Sequence, residues 1–180
     1  TLLSNRPGYP TIRGRVLDAQ LVGDLLLGIE ERGAVDTAQM ILSGYLGSAD
    51  NAAVVADFVA RAKARNPALA YCCDPVLGDR DRGLFVHADI PPQVADRLCP
   101  LADIITPNQF ELDYLSRRES GTLRAARDAV KAVHDLGPRA ILVTSLHTDE
   151  TPADCIDMLA SDDTGCFLVR TPKLPLTING

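Results

Sequence analysis

The sequence predicts an α/β fold: a mostly parallel central sheet with helices on both faces, followed by a late antiparallel hairpin. Three observations carry this. Short apolar runs alternate with longer helical patterns in the order β–α–β–α–β–α–β, which favours a parallel sheet with crossover helices. Two of those runs end in acidic motifs, C-D-P-V-L-G-D at residues 73–79 and I-I-T-P-N-Q-F-E at residues 104–111. They lie about 30 residues apart, the length of one β–α–β step. Finally, residues 154–160 and 165–171 read as two strands joined across Ser161-Asp162-Asp163-Thr164, a hairpin pattern.

The elements follow in order. Residues 1–14 read as a short strand and a Gly/Pro-rich loop. Leu17, Leu21, Leu25 and Ile29 recur at four-residue spacing and define one face of a helix over 17–32, with Asp18 as its cap and Gly33 as its stop. Met40 to Leu42 form a buried strand that ends in G-Y-L-G-S at 44–48. An Ala/Val-rich helix runs over 51–65 and stops at Asn66-Pro67. Residues 69–73 form the next strand and deliver Asp74-Pro75. Residues 78–92 lack periodicity and read as a long loop, a type often used as a lid. A short helix is expected over 92–98, a strand over 103–106, helices over 108–118 and 122–136, and a strand over 140–144.

Composition bounds the function. The chain has 180 residues, 46% hydrophobic and 23% charged, enough for one domain with an aliphatic core. The net charge is −6 and no Lys/Arg-dense segment is present, which argues against nucleic acid as a partner. No apolar run approaches a membrane span, so no membrane is expected. Five cysteines without a C-x-x-C pair fit a reduced, cytoplasmic setting rather than a disulfide framework. The chain does not begin with Met, and its start is not expected to be the natural one.

The candidate chemistry gathers at strand ends, the edge where open α/β sheets bind ligands. Asp74 precedes a proline that holds it extended, so it projects from its strand tip. It reads either as a cation ligand or as an ordinary strand-to-loop Asp. Asp79 adds a second carboxylate at the start of the long loop. Asn108 and Glu111 have the spacing of a capping box. Equally, a helix mouth at a strand end attracts anions, and Glu111 there could hold Mg²⁺ against a phosphate through water. Thr144 and Ser145 close a strand and could bond phosphate or ribose oxygens, or cap a turn. Tyr45, between Gly44 and Gly47, could stack on a flat ring or simply pack. His87, His134 and His147 have no ligand-like spacing. The common nucleotide, metalloprotease and esterase motifs are absent.

Taken together these motifs resemble the pyridoxal kinases of the ribokinase-like superfamily. The resemblance runs through S-N-R-P-G-Y at 4–9, S-G-Y-L-G-S at 43–48, C-D-P-V-L-G-D at 73–79, P-L-A-D-I-I-T-P-N-Q-F-E at 100–111 and L-V-T-S at 142–145. It implies a single, incomplete ribokinase-like domain over 1–180, with a three-layer α/β/α architecture. It implies ATP-dependent phosphorylation of the 5′-hydroxymethyl group of pyridoxal, and of pyridoxine and pyridoxamine. By the matching motifs, Asp74, Asn108, Gln109, Phe110, Glu111, Thr144 and Ser145 would border ATP. Asp74, Asp79, Thr106, Glu111 and Thr144 would serve Mg²⁺ and a monovalent cation, K⁺ or Na⁺. Pro7 and Tyr45 would face the vitamer, and residues from Gly78 to about Ala88 would form a flap. A homodimer is implied for the full-length protein. Two departures stand out. Arg6 and Pro7 occupy positions where the family often has His and Thr, which removes a substrate-contacting hydroxyl. The family's G-T-G-D segment, with its catalytic Asp, would begin at about Gly180, so the segment alone is expected to be inactive. A hydroxymethylpyrimidine kinase of the same superfamily shares D-P-V and I-T-P-N and is the alternative enzyme; a non-catalytic vitamer- or nucleotide-binding remnant is the alternative of a different class.

Overall fold

The computed structural model describes residues 2, 3, 11 and 13–175. Strands β1 (Leu2–Leu3) and β2 (Gly14–Arg15) pair antiparallel. Then follow α1 (Ala19–Glu31), α2 (Ala34–Thr37), β3 (Met40–Ser43), α3 (Ala49–Arg65) and β4 (Ala70–Cys73). A small hairpin, β5 (Gly78–Asp79) with β6 (Gly83–Leu84), precedes α4 (Ile90–Gln93). Helix α4 runs on through one wide π-turn, Val94–Leu98. The chain continues as β7 (Ile104–Ile105), α5 (Gln109–Ser116), α6 (Leu123–His134), β8 (Ala140–Leu146), β9 (Cys155–Asp162) and β10 (Gly165–Pro172).

Six strands form the main sheet in the order β10-β9-β8-β7-β4-β3. β3, β4, β7 and β8 run parallel, and β9 and β10 add an antiparallel edge. The mostly parallel sheet with a late hairpin is therefore present as the alternation predicts, while the helices expected on both faces pack, among the described residues, on one. Side chains alternate across it, so one face takes Tyr71, Cys73, Ile105, Ile141, Val143 and Leu159, all buried. Helices α3, α5 and α6 cover that face with Ala52, Ala56, Val59, Leu112, Leu115, Val130 and Val133. On the opposite face Met40 is 51% exposed and Leu42 70% exposed.

The helix starts are set by local chemistry. Asp18, Ser48, Asn108 and Thr122 each accept an N–H bond from the residue three places on, satisfying donors that have no partner within the helix. Three further readings need correction. The strand over Met40 to Leu42 is not buried: it lies at the sheet's edge with Met40 and Leu42 on the exposed face, and only Ile41 packs on the core. Leu21, Leu25 and Ile29 of α1 lie on its exposed side, while Leu26 packs on the core. The run L-V-G-D-L-L-L-G-I is apolar on nearly every side, so its spacing does not select a face. Residues 78–92 are not a plain loop: they open with the β5–β6 hairpin and close with α4.

Candidate functional site at the strand ends

The parallel strands deliver their last residues to one edge, and backbone bonds tie those ends together. The Asp74 amide donates to the Ser43 carbonyl at 2.8 Å, and the Thr106 amide to the Cys73 carbonyl at 3.1 Å. The Thr144 amide donates to the Pro107 carbonyl at 2.8 Å, extending the sheet as an isolated bridge between Asn108 and Thr144. Asp74, Thr106, Asn108 and Thr144 therefore share one edge, as their strand-end positions predict. Asp74 is half-buried, and burial pushes its carboxyl above the usual range while a hydrogen bond from Thr106 works the other way.

Glu111 completes this group. It is 3% exposed. Its Oε2 accepts from the Asn108 amide at 2.9 Å while Asn108 Oδ1 accepts from the Glu111 amide at 3.0 Å, a full capping box. The other oxygen does something that spacing does not announce: Oε1 accepts from the Leu77 amide at 2.9 Å, joining the two acidic motifs. Burial pushes the Glu111 carboxyl up to about 7, backbone N–H bonds from Leu77, Asn108 and Gly78 oppose this, and the charge of Asp74 adds to the rise. Two carboxyls, each pushed up chiefly by burial, beside a strand-end hydroxyl form an oxygen-only donor set suited to a hard cation.

Asp79 stands apart from that pair. Its Oδ1 accepts from the amides of Asp81 and Arg82 at 3.1 and 2.7 Å, and Arg82 lies 3.4 Å from its other oxygen. It thus shapes the hairpin turn. Among the described residues no three His, Cys, Asp or Glu side chains converge as a metal-binding group, so Asp74, Asp79 and Glu111 do not form a three-carboxylate cluster. The hairpin is held down from α5: Asn108 Nδ2 donates to the Gly78 carbonyl at 2.8 Å. A Cβ at Gly78 would collide with the Gly83 carbonyl and the Phe110 ring, so only glycine permits this approach.

Between hairpin, α5 and the end of β8 lies a cavity of about 510 Å³, lined by Asp79, Arg80, Asn108, Gln109, Ser145 and His147 among others. Ser145 sits at φ 51°, a left-handed conformation that is uncommon for serine and turns the chain at this tip. Gln109 is buried, and its amide bridges the carbonyls of Ser120 and His147, each at 3.0 Å. Its Oε1 accepts from the His147 amide at 3.0 Å and from Arg80 Nη1 at 2.9 Å. Arg80 and His147 escape a reading by motif, because an arginine in D-R-D-R and an unpaired histidine gain meaning only when the fold brings them to Gln109. Tyr45 is exposed in the turn after β3 and does not line this cavity. Pro7 lies outside the described residues.

Residues 27–180 match the family described as phosphomethylpyrimidine kinase. The chain belongs to this family. Among its curated relatives, pyridoxal kinase PdxY of Corynebacterium diphtheriae is 45% identical over 98% of this chain and 62% of its own length. PdxY of Granulibacter bethesdensis is 45% identical, with 98% and 63% covered. The chain therefore spans a little over three-fifths of the curated relatives it matches. In structure it resembles the pyridoxal kinase of Leishmania donovani in complex with ADP and pyridoxamine, at 28% identity and TM-score 0.84, covering 95% of this chain and 59% of that one. The pyridoxal kinase of Entamoeba histolytica gives 27% identity and TM-score 0.84, with 95% and 61% covered. The expected ribokinase-like α/β class is the fold observed.

Proposed function

We propose that the protein carrying this sequence is a pyridoxal kinase, moving the γ-phosphoryl group of ATP to the 5′-hydroxymethyl group of pyridoxal, pyridoxine and pyridoxamine in vitamin B6 salvage. The observation that carries this reading is the 45% identity with pyridoxal kinase PdxY sustained across 98% of the chain. The strand-end group of Asp74, Thr106 and Glu111 supports it. We take residues 1–180 as part of one ribokinase-like kinase domain, acting in the cytoplasm as a homodimer.

Phosphoryl transfer needs positioning and charge neutralisation more than covalent chemistry. Asp74 and Glu111 offer carboxylate oxygens, and Thr106 and Thr144 offer hydroxyls at the same edge. This donor set fits Mg²⁺, which takes one or two carboxylates and fills its shell with water and phosphate oxygens. Asp79 would help organise that ion, and Thr106 with Thr144 would line a K⁺ or Na⁺ site. Bound metal would neutralise charge on the phosphates. Asn108, Gln109, Phe110, Thr144 and Ser145 would border the nucleotide, with Asn108 also anchoring the hairpin beside it. Pro7 and Tyr45 would face the vitamer ring. The hairpin would limit water at the reacting groups, which protects a phosphoryl donor from hydrolysis. No residue of this chain is assigned the proton-accepting role.

A second reading, phosphorylation of a hydroxymethylpyrimidine, is favoured by one observation, the match to a family described by a related pyrimidine substrate, phosphomethylpyrimidine kinase. Rates of the full-length protein that carries this sequence, with ATP and either pyridoxal or hydroxymethylpyrimidine, separate the two. The expected outcome is faster turnover of pyridoxal. Faster turnover of the pyrimidine would replace the first reading with the second, and failure to phosphorylate either would overturn both.

A further inference from the structure

Arg80 lies on the hairpin between two aspartates, and the reading above gives it no task. Its side chain reaches across to α5 and β8. Nη1 donates to Gln109 Oε1 at 2.9 Å and to the His147 carbonyl at 3.4 Å. Both acceptors are firmly set. Gln109 is buried and spends its own amide hydrogens on the carbonyls of Ser120 and His147. An arginine presents five N–H donors in a rigid fork. Here the contacts engage one nitrogen, and no hydrogen bond joins Nε or Nη2 to another described residue. The guanidinium lines the cavity of about 510 Å³ beside Asn108 and Ser145.

Charge narrows the ligand. Asp79 and Asp81 also line the cavity, so a bare anion would meet two carboxylates as well as one guanidinium. A polyphosphate already partly neutralised by a cation would not be repelled in this way. A guanidinium fork matches two phosphate oxygens at once, whereas an ammonium group acts as a point charge.

We propose that Arg80 binds the β- and γ-phosphates of the donor nucleotide through its unengaged edge, while Gln109 and the His147 carbonyl fix the other edge. The assignment rests on the kinase reading, which supplies the ligand. It makes Arg80 a phosphate-reading residue contributed by the hairpin, so donor binding and hairpin position are coupled.

The test is calorimetric titration of the protein carrying this sequence with AMP, ADP and ATP, each with Mg²⁺, in wild type, R80Q and R80K. Arg80 is exposed, so both variants should keep the wild-type melting temperature. R80Q should lose affinity for ADP and ATP on the order of 10- to 100-fold, the effect of losing charge-assisted bonds. Its affinity for AMP, which ends at the α-phosphate, should stay at the wild-type value, and R80K should recover only part of the loss. A structural role would weaken all three nucleotides alike, and that result would overturn the proposal. If R80Q binds ADP and ATP as wild type does, Arg80 is excluded while the kinase reading stands. If wild type binds none of the three, the kinase reading fails and the assignment fails with it.

Discussion

Glu111 holds a backbone amide on each carboxylate oxygen, yet burial raises its carboxyl to about 7. The proton is therefore bound more tightly in the folded chain than in the unfolded one, where the group has its ordinary value of 4.5. The stabilising contribution is fully present below that ordinary value and is lost as pH rises through the folded one. Asp36, Asp103 and Asp157 are shifted down instead, so their contribution changes at lower pH. The unfolding free energy from urea titration should fall between pH 5 and pH 7.5, by on the order of 3 kcal/mol at most. Glu111→Gln should flatten that slope; an unchanged slope would show that Glu111 does not set it. Asp74→Asn addresses function instead. Phosphoryl transfer should drop by roughly 100-fold or more, as for loss of an electrostatic stabiliser, while the melting temperature is maintained because a half-buried charge has been removed. Full activity in Asp74→Asn would remove it from the reaction.

At the scale of elements, the β5–β6 hairpin depends on one tight approach. Gly78→Ala would push a methyl group into the Gly83 carbonyl and the Phe110 ring, and backbone cannot rotate away. A loss of roughly 1–3 kcal/mol is expected, as for other overpacked sites. Gly121→Ala meets nothing within 4 Å and serves as the neutral control. Equal melting temperatures for the two variants would contradict the packing described. The same hairpin explains what was legible in the sequence. Helix starts at Asp18, Ser48, Asn108 and Thr122 could be read because a cap is a local bond three residues long. The hairpin could not, since D-R-D-R-G has no alternation and its fixings come from Asn108, Phe110 and Glu111, about thirty residues further on. Likewise the Asp74–Thr106–Glu111 edge followed from strand-end positions, but the Arg80–Gln109–His147 contact exists only after long-range folding.

For the whole molecule, the asymmetry of the sheet is the dominant feature. One face is packed by helices, and the other shows Met40, Leu42 and Leu142 to solvent, with Phe167 and Val169 exposed on β10 at the sheet's edge. A preparation of these 180 residues should bind a hydrophobic dye such as ANS, because contiguous apolar surface of this kind is unusual on a soluble monomer. Leu42→Thr should reduce the dye signal with little change in melting temperature. Ile105→Ala, on the packed face, should cost about 2–5 kcal/mol. A dye-silent, cooperatively melting monomer would mean that this face is covered.

The bond from the Leu77 amide to Glu111 also divides the chain by timescale. It pins the end of C-D-P-V-L to α5, and the Asn108 bond to the Gly78 carbonyl carries that anchor one residue further, so any swing of the hairpin has to pivot beyond Gly78. Amide hydrogen exchange should show the border directly. Leu77, sequestered on a buried carboxylate, should exchange as slowly as the sheet core, while Asp81 and Arg82, on an exposed turn, should exchange orders of magnitude faster. The hinge of the site would then lie between Gly78 and Asp81.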